Sequence, residues 1–538
     1  MEQELETHWG SIMKKTPEEL IKKQGEAEGE HSRFRNMYDP VFKYGMPGRY
    51  NAITETNTNG QTNREDLYSD VLEQACDEFV QRFQALVCPV NTNWIDFEAG
   101  YMFQKDNQNT DEVNKTLAQV SNILNVFKAT SNYDTAFTEA SYDLITGTAC
   151  LSLLEGTPDN PFKFSAIPFV DLYMCEGVFG NIDTYFRKMK IKNYLVKQQW
   201  HDAKYEYEEH KDDETADLLE ATYYDYDIKK WHYVVIDTKK QSFIIERIYK
   251  CSPFIDLRWA KCAGETYGRG PGLKVIHDFK TLNRITEYSL RALAFTIPIF
   301  LASTDNGFDT SKFMLSPGAI VPVPTNATNN PTITPLQVNP MPDLRNYNAE
   351  QLEMNIKRTM FASTIPNDPS RDLTATEVAR RVQELDNSLN NSFGRLLEFL
   401  YRLAQRMIEV SQKFGYLSPD IDVQSFNGYG FKVKVNTQLA NQQSKQEVTD
   451  MLQSLQIMAQ FDPNMQYTSK VLNMNEMIPY ILDKMGVPNK FIRTSEEIEA
   501  LQQEEAMAMQ QAEQNSVQMD VAAANAKEMG KADAQRQL

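Results

Sequence analysis

Apolar residues recur every three or four positions along most of this chain, and one central stretch changes to strand-like runs. Tyr68, Leu72, Ala75, Phe79, Phe83 and Leu86 share one side of a predicted helix that Pro89 ends. A second helical pattern covers about residues 111–144, with a break near Ser131-Asn132. From Gly147 to about Arg258 the period shifts, and residues 150–154, 164–167 and 185–188 predict short strands. Residues 221–226, 231–237, 243–248 and 254–259 predict one antiparallel meander with hairpin turns at Lys229-Lys230 and Lys239-Lys240. The charge run over 208–217 predicts a solvated loop or helix.

Helical spacing returns at Pro271 and lasts to about Thr296. At the α-helical rise this is roughly 37 Å. Eight of the 23 prolines lie between Pro298 and Pro342, which excludes helix there and favours edge strands and turns. Residues 347–361 predict a short helix, and Ile365-Pro366-Asn367-Asp368-Pro369 a loop. The longest helix follows. Thr374 can cap it, Glu377 completes a capping box, and Leu373 and Val378 occupy the staple positions. Its apolar face runs Val378, Val382, Leu385, Leu389, Phe393, Leu396, Leu400, Leu403, Met407, Val410, Phe414, and Gly415 is placed to terminate it. Residues 431–435 predict a strand, and 448–460 and 474–485 further helices. Beyond Thr494 no aromatic residue occurs, which predicts a solvated helix fraying at its end.

At the other end, residues 1–60 are polar and thinly apolar. Thr16-Pro17-Glu18-Glu19 still has a helix start, with a capping residue, Pro in the first position and acids in the first turn. Residues 51–63, rich in Asn and Thr, read as a loop. The class expected is α+β, predominantly helical, with small antiparallel sheets.

A length of 538 residues allows several domains and a large total core. The net charge of −19 argues against tight gripping of nucleic-acid phosphates, though not against loose handling of DNA. The acidic N-terminus lacks the apolar core of a signal peptide, and the apolar stretch 290–302 is too short to span a bilayer and contains Pro298. No membrane association is expected. Cys76, Cys88, Cys150, Cys175, Cys251 and Cys262 are scattered without a C-x-x-C, as reduced thiols in a cytoplasmic setting would be.

Recognisable chemistry is sparse. Gly268-Arg269-Gly270-Pro271-Gly272 invites a nucleotide-loop reading, but it matches neither the P-loop nor the full dinucleotide fingerprint, and Pro271 removes an N–H. A tight turn before a proline-led helix explains it better. The six histidines show no metal-ligand spacing, and no G-x-S-x-G elbow occurs. No catalytic residue, metal or cofactor is expected. The methionines of the C-terminal half are explained by ordinary helix cores.

Several segments, in order, carry a resemblance that covers about residues 67–493. They are Trp94 after a proline-terminated helix, Gly147-Thr148-Ala149, Gly180-Asn181-Ile182-Asp183, Ser252-Pro253-Phe254, Arg258-Trp259, Gly264-Glu265-Thr266-Tyr267-Gly268-Arg269-Gly270-Pro271, Leu315-Ser316-Pro317-Gly318-Ala319-Ile320, Thr374-Ala375-Thr376-Glu377-Val378 and Gly486-Val487-Pro488. Together they resemble the portal, or head-to-tail connector, proteins of short-tailed bacteriophages. The resemblance weakens over the first sixty residues and the last forty.

The resemblance implies a non-enzymatic, portal-type subunit with wing, stem, clip and crown regions, assembled as a homo-oligomeric ring of twelve. On that plan residues 1–270 form the N-terminal region and wing, 271–296 the first stem helix, 297–345 the clip and 346–362 the second stem helix. Residues 363–373 form the tunnel loop, 374–438 the long tunnel and wing helix with its strand, and 439–538 the crown and tail. The ring would sit at one capsid vertex of the virion, after assembly in the host cytoplasm. Implied partners are the terminase motor, a tail adaptor protein, the scaffold and major capsid protein, internal core proteins and, transiently, double-stranded DNA.

Lys357, Arg358 and Arg371, flanking the proposed tunnel loop, are the candidate DNA-channel residues. The competing reading pairs Lys357 and Arg358 with Glu350 or Glu353 along the helix surface. The other functional classes weighed are another phage head–tail structural protein, such as an adaptor or internal virion protein, and an enzyme such as a nuclease, which lacks any metal–carboxylate signature here.

Overall fold

The computed structural model describes residues 15–49, 66–89, 95–100, 110–206, 214–296, 300–302, 333–335, 343–362, 375–419, 421–423, 430–435, 448, 451–458, 477 and 481. The chain divides into two units, residues 1–106 with 116–437, and residues 107–115 with 438–538. In the second, residues 451–458 are helical and Leu452, Ile457 and Met458 are exposed. The rest of the description concerns the first, a mixed α+β body with small antiparallel sheets.

Helix α1, Pro17–Gly45, is longer than the thinly apolar sequence predicts. Thr16 caps it as expected. Its hydroxyl accepts from the Glu19 amide at 3.3 Å, and the Glu19 carboxylate accepts from the Thr16 amide at 3.1 Å. The helix passes through Pro40 and buries Leu20, Gln24, Ala27, His31, Tyr38, Val41 and Phe42. Helix α2 is Val71–Val87. Tyr68 therefore precedes it rather than leading its apolar face, and its amide donates to the Asn283 side chain at 2.8 Å. The predicted break at Ser131-Asn132 separates α3, Thr110–Thr130, from α4, Tyr133–Leu144.

Strand β1, Ile95–Ala99, pairs with the distant β12, Phe431–Val435. Strands β2, Thr148–Glu155, and β3, Phe162–Ala166, form a hairpin. A five-stranded antiparallel sheet follows in chain order: β4, Leu172–Glu176; β5, Ile182–Lys192; β6, Thr215–Asp225; β7, Lys230–Asp237; and β8, Ser242–Tyr249. The hairpin turns fall where predicted, with Lys229 and Gln241 in the left-handed region at φ 53° and 50°. Both faces of the sheet are covered, so its strands read as apolar runs rather than alternation. Leu20 and Ala27 of α1 pack with Phe186, Leu219, Ala221, Tyr223, Val234 and Ile236 on one face. On the other, Val196 of α5, Asn193–Gln199, with Trp200 and Tyr205, packs against Leu218, Tyr233, Val235 and Ile244.

Two expectations need correction here. Strand β9, Phe254–Arg258, does not extend the meander but pairs with β2, giving the order β3-β2-β9. The chain leaves β8 because the Lys250 and Cys251 amides donate to the Glu409 carboxylate and the Pro253 carbonyl accepts from Leu153. The acidic run also ends in a strand rather than in a loop or helix. Thr215, Ala216 and Asp217 open β6 opposite Lys192, Ile191 and Lys190, and Lys239 lies 3.1 Å from the Asp217 carboxylate. Residues 207–213 lie outside the described residues.

The long helices close the body. They are α6, Pro271–Thr296; α7, Asp343–Thr359; and α8, Ala375–Lys413. Between α6 and α7, β10, Phe300–Ala302, pairs antiparallel with β11, Ile333–Pro335, consistent with the edge strands expected of the proline-rich segment. The predicted cap Thr374 and the side chains up to Phe393 lie outside the described residues. From Leu396 onward the expected face is buried, through Leu400, Leu403, Met407 and Val410, joined by Phe399, Ala404 and Ile408. Gly415, at φ 78°, terminates α8 in a Schellman motif, with the Gly415 and Tyr416 amides donating to the Gln412 and Ser411 carbonyls.

Candidate nucleic-acid interface

The glycine motif seats α6 by direct backbone contact with the loop between α4 and β2. The Gly270 amide donates to the Thr146 carbonyl at 2.8 Å, and the Gly272 amide to the Ile145 carbonyl at 3.0 Å. Gly268 donates to Thr148 Oγ1 at 2.8 Å, and its carbonyl accepts from the buried Tyr38 hydroxyl. A Cβ on Gly270 would stand 2.1 Å from the Ile145 carbonyl oxygen, and one on Gly268 2.2 Å from that of Gly147. These amides are committed within the protein, so the motif has no free nest for a phosphate.

Helix α6 is buried in its first half, through Val275, Ile276, Phe279 and Leu282. Helix α7 packs against it and is buried in its last turn at Ile356 and just beyond it at Met360 and Ala362. Arg82 of α2 fixes that turn by donating to the Phe361 carbonyl at 2.6 Å, while the Phe361 ring meets Trp259 and Phe79. Both helices thus root in an aromatic core at the ends away from the proline-rich segment. In the second half of α6 Tyr288, Leu290 and Leu293 are 59%, 50% and 65% exposed, and on α7 Met354, two residues before the buried Ile356, is 60% exposed.

Of the candidate channel residues, Lys357 is half-buried and Arg358 exposed, both in the last turn of α7, where cations offset the carbonyl end of the helix dipole. Among the described residues neither forms an ion pair with Glu350 or Glu353, so that competing reading is not supported. Arg371 lies outside the described residues. A groove of mixed charge that sequence reasoning missed lies along α6, where Arg291 pairs with Glu287 at 2.6 Å. The groove, of about 640 Å³, is lined by Tyr44, Tyr68, His277, Lys280, Arg284 and Arg291, with Asp66 and Glu287. The signal was present as Lys280, Arg284 and Arg291 at helical spacing, but Tyr44 and Tyr68 reach it only through the fold.

The long helix α8 is held by buried ions. Arg402 donates to the Asp256 carboxylate at 2.6 Å, Arg258 lies 3.1 Å from it, and the Tyr185 hydroxyl donates to it at 2.6 Å. Burial alone would raise the Asp256 carboxyl, but Arg402 and Arg258 pull it down to about 2. Four residues on, Arg406 is fully buried, 2.8 Å from Glu409, with its guanidinium 4.0 Å above the Tyr249 ring. All six cysteines are free, and among the described residues no cluster of His, Cys, Asp and Glu could hold a metal ion. No described helix is long and apolar enough to cross a membrane.

Residues 18–492 match the family described as bacteriophage head to tail connecting protein. The chain belongs to that family. The match begins with α1, the helix to which the polar N-terminal composition gave least weight. A head-to-tail connector is a structural component of the virion rather than an enzyme, and it assembles with other head and tail components. No curated protein matches this connector. Among solved structures, the virion of a native gene transfer agent particle contains a chain 10% identical to it. That match covers 75% of this chain and 94% of the other at a TM-score of 0.33.

Proposed function

We propose that this connector is a portal subunit whose copies, twelve on the family plan, close into a ring around a channel for packaging and ejecting double-stranded DNA. Residues 1–270 would form the N-terminal region and wing, 271–296 and 346–362 the stem helices, 297–345 the clip, 363–373 the tunnel loop, 374–438 the long tunnel and wing helix with its strand, and 439–538 the crown and C-terminal tail. The ring would occupy a capsid vertex, assembled in the host cytoplasm with scaffold, major capsid protein and internal core proteins. The clip would dock first the terminase motor and then the tail adaptor.

The observation that carries this reading is the exposure of Tyr288, Leu290 and Leu293 around the second half of α6, with that of Met354 on α7. An isolated subunit exposes these side chains to water, whereas head-to-tail neighbours in a closed ring would cover them. The chain's charge of −19 suits a channel that must release phosphates as readily as it passes them. The test is imaging of the purified protein by negative stain, with mass photometry. Rings with a central hole are expected for the parent, and monomers for Leu293→Asp. A parent without rings would favour an adaptor or internal virion protein instead, and intact Leu293→Asp rings would remove the apolar surface from the argument.

A further inference from the structure

The turn between β4 and β5 holds an aromatic ring out in water. Phe179 is 98% exposed, and Val178 beside it is 53% exposed. Phe179 also lies in the left-handed region, at φ 58° and ψ 23°, where a bulky side chain is kept only by its surroundings. Here the Gly177 amide donates to the Asn181 carbonyl at 2.7 Å, and Arg258 and Lys261 donate to the Gly180 carbonyl at 3.3 and 3.2 Å. A Cβ on Gly177 would stand 2.6 Å from the Asp183 carboxylate. Glu176 is paired with Lys261, and Asp183 with Lys23 at 4.0 Å, so the turn presents Val178 and Phe179 rather than these charges.

The groove along α6 has the matching chemistry. Lys43 lies 3.1 Å from Asp66, and Arg291 is paired with Glu287, whereas among the described residues Lys280 and Arg284 form no ion pair. Tyr44 and Tyr68 line the groove with them, and the exposed Tyr288 stands one turn beyond Arg284 on the same face of α6. Cations without a counter-ion, set among aromatic rings, attract the face of a further ring. The two features cannot meet within one chain. Lys23 donates to Thr184 and Lys188 to Glu28, so β5 runs beside α1 and the turn before it lies beyond Lys23, away from Tyr44. The helix from Lys23 to Tyr44 is about 30 Å long.

We propose that the Val178–Phe179 turn of one copy seats in the α6 groove of the next, with the Phe179 ring against Arg284 and Tyr68. The contact joins two different surfaces of the same chain, so it is heterologous and repeats from copy to copy. It rests on the ring reading and names one contact that would repeat around the ring. A second copy is the occupant favoured because the ring and its cation–aromatic receiver belong to one chain yet lie too far apart to satisfy each other. The receiver also continues through Tyr288 into the exposed side chains of α6 that a neighbour would cover.

The test places the photoreactive residue p-benzoylphenylalanine at position 179 of the full chain and images the same sample by negative stain. Illumination should join chain to chain, with the cross-link mapped by mass spectrometry to peptides containing Tyr44, Tyr68 or residues 280–291. Rings without that cross-link would overturn this contact and leave the ring reading standing. The cross-link in open assemblies would support the contact and remove the ring. Absence of both would overturn both. As a measurement on single variants, Phe179→Gly and Arg284→Ala should each weaken association about tenfold by mass photometry, and Val126→Asp, an exposed apolar position on α3, should not. At a concentration where the subunits are monomeric, Phe179→Gly should melt no lower than the parent, because glycine takes the left-handed region freely. Parental association in Phe179→Gly and Arg284→Ala, equal weakening in Val126→Asp, or a lower melting temperature for monomeric Phe179→Gly would each overturn the proposal.

Discussion

Arg402, near the C-terminal end of α8, donates to Asp256 in the middle of β9 at 2.6 Å, and Asp256 is 1% exposed. The pair ties the longest helix to the strand that left the meander. Removing the cation leaves a buried carboxylate with only Arg258 and Tyr185. Arg402→Met should cost about 3 kcal/mol, within the range for breaking a buried pair. Asp256→Asn combined with Arg402→Met should recover part of that loss. Chemical denaturation measures both, and a loss under about 1 kcal/mol would show that Arg258 alone holds the carboxylate.

The glycine contacts predict a sharp contrast between positions. Gly270→Ala places a Cβ 2.1 Å from the Ile145 carbonyl oxygen, and Gly147→Ala, at φ 139°, one 2.4 Å from that of Gly268. Each should cost more than about 3 kcal/mol or give insoluble protein. Gly264→Ala, at φ 82° but with open space around it, should cost only about 1 kcal/mol. ATP should not shift the melting temperature of the parent, because the motif's amides are already bonded. A nucleotide-dependent shift in the parent would restore the nucleotide reading.

His31 predicts a pH dependence. It is buried on α1, donates to the Phe169 carbonyl at 2.8 Å, stacks on the Phe169 ring and meets the Tyr173 ring at a tilt. Burial lowers its pKa from 6.5 to about 4, against the opposing effect of the Phe169 hydrogen bond. The unfolded chain therefore binds the proton more readily. The contribution is complete above pH 6.5 and is lost as pH falls towards 4, by about 3 kcal/mol in all. His31→Phe should be less stable at pH 7 by about 1 kcal/mol, for loss of the hydrogen bond. It should also show a flatter stability profile between pH 6.5 and 4. Parallel profiles for parent and variant would contradict the assignment.

The channel proposal predicts function without stability. Lys357→Ala and Arg358→Ala should each change stability by less than about 1 kcal/mol, since unpaired charges at a helix end, half-buried or exposed, contribute little. Arg371→Ala is expected to behave likewise. Their effect should appear in genome packaging or retention, where all copies act on one duplex. Parental packaging and retention in all three would remove these residues from the channel.

The clip proposal predicts separable assembly. Deleting residues 325–335 should leave the melting temperature of the remaining protein within a few degrees of the parent while abolishing motor docking. That deletion includes β11, so the β10–β11 pairing is lost with it. Normal packaging by the deleted protein would place motor docking elsewhere.

Local chemistry was legible in the sequence because its physics is local. The Thr16 cap, the Gly415 terminator, the break between α3 and α4 and the hairpin turns of β6 to β8 each depend on backbone groups within a few residues. The family resemblance was legible too, from ordered motifs. What only tertiary structure decided involves partners distant in the chain. β9 joined β2 because Glu409, about 150 residues on, takes the amides that would have continued the meander. The glycines of α6 are required by the backbone of Ile145 and Gly147, which no spacing announces. Arg406, an ordinary cation in sequence, became fully buried because Glu155 of β2 and Tyr249 of β8 converge on it beside Glu409 of its own helix. Periodicity reports the water-facing and core-facing sides of one element; it carries no information about which other element supplies the far side of a contact.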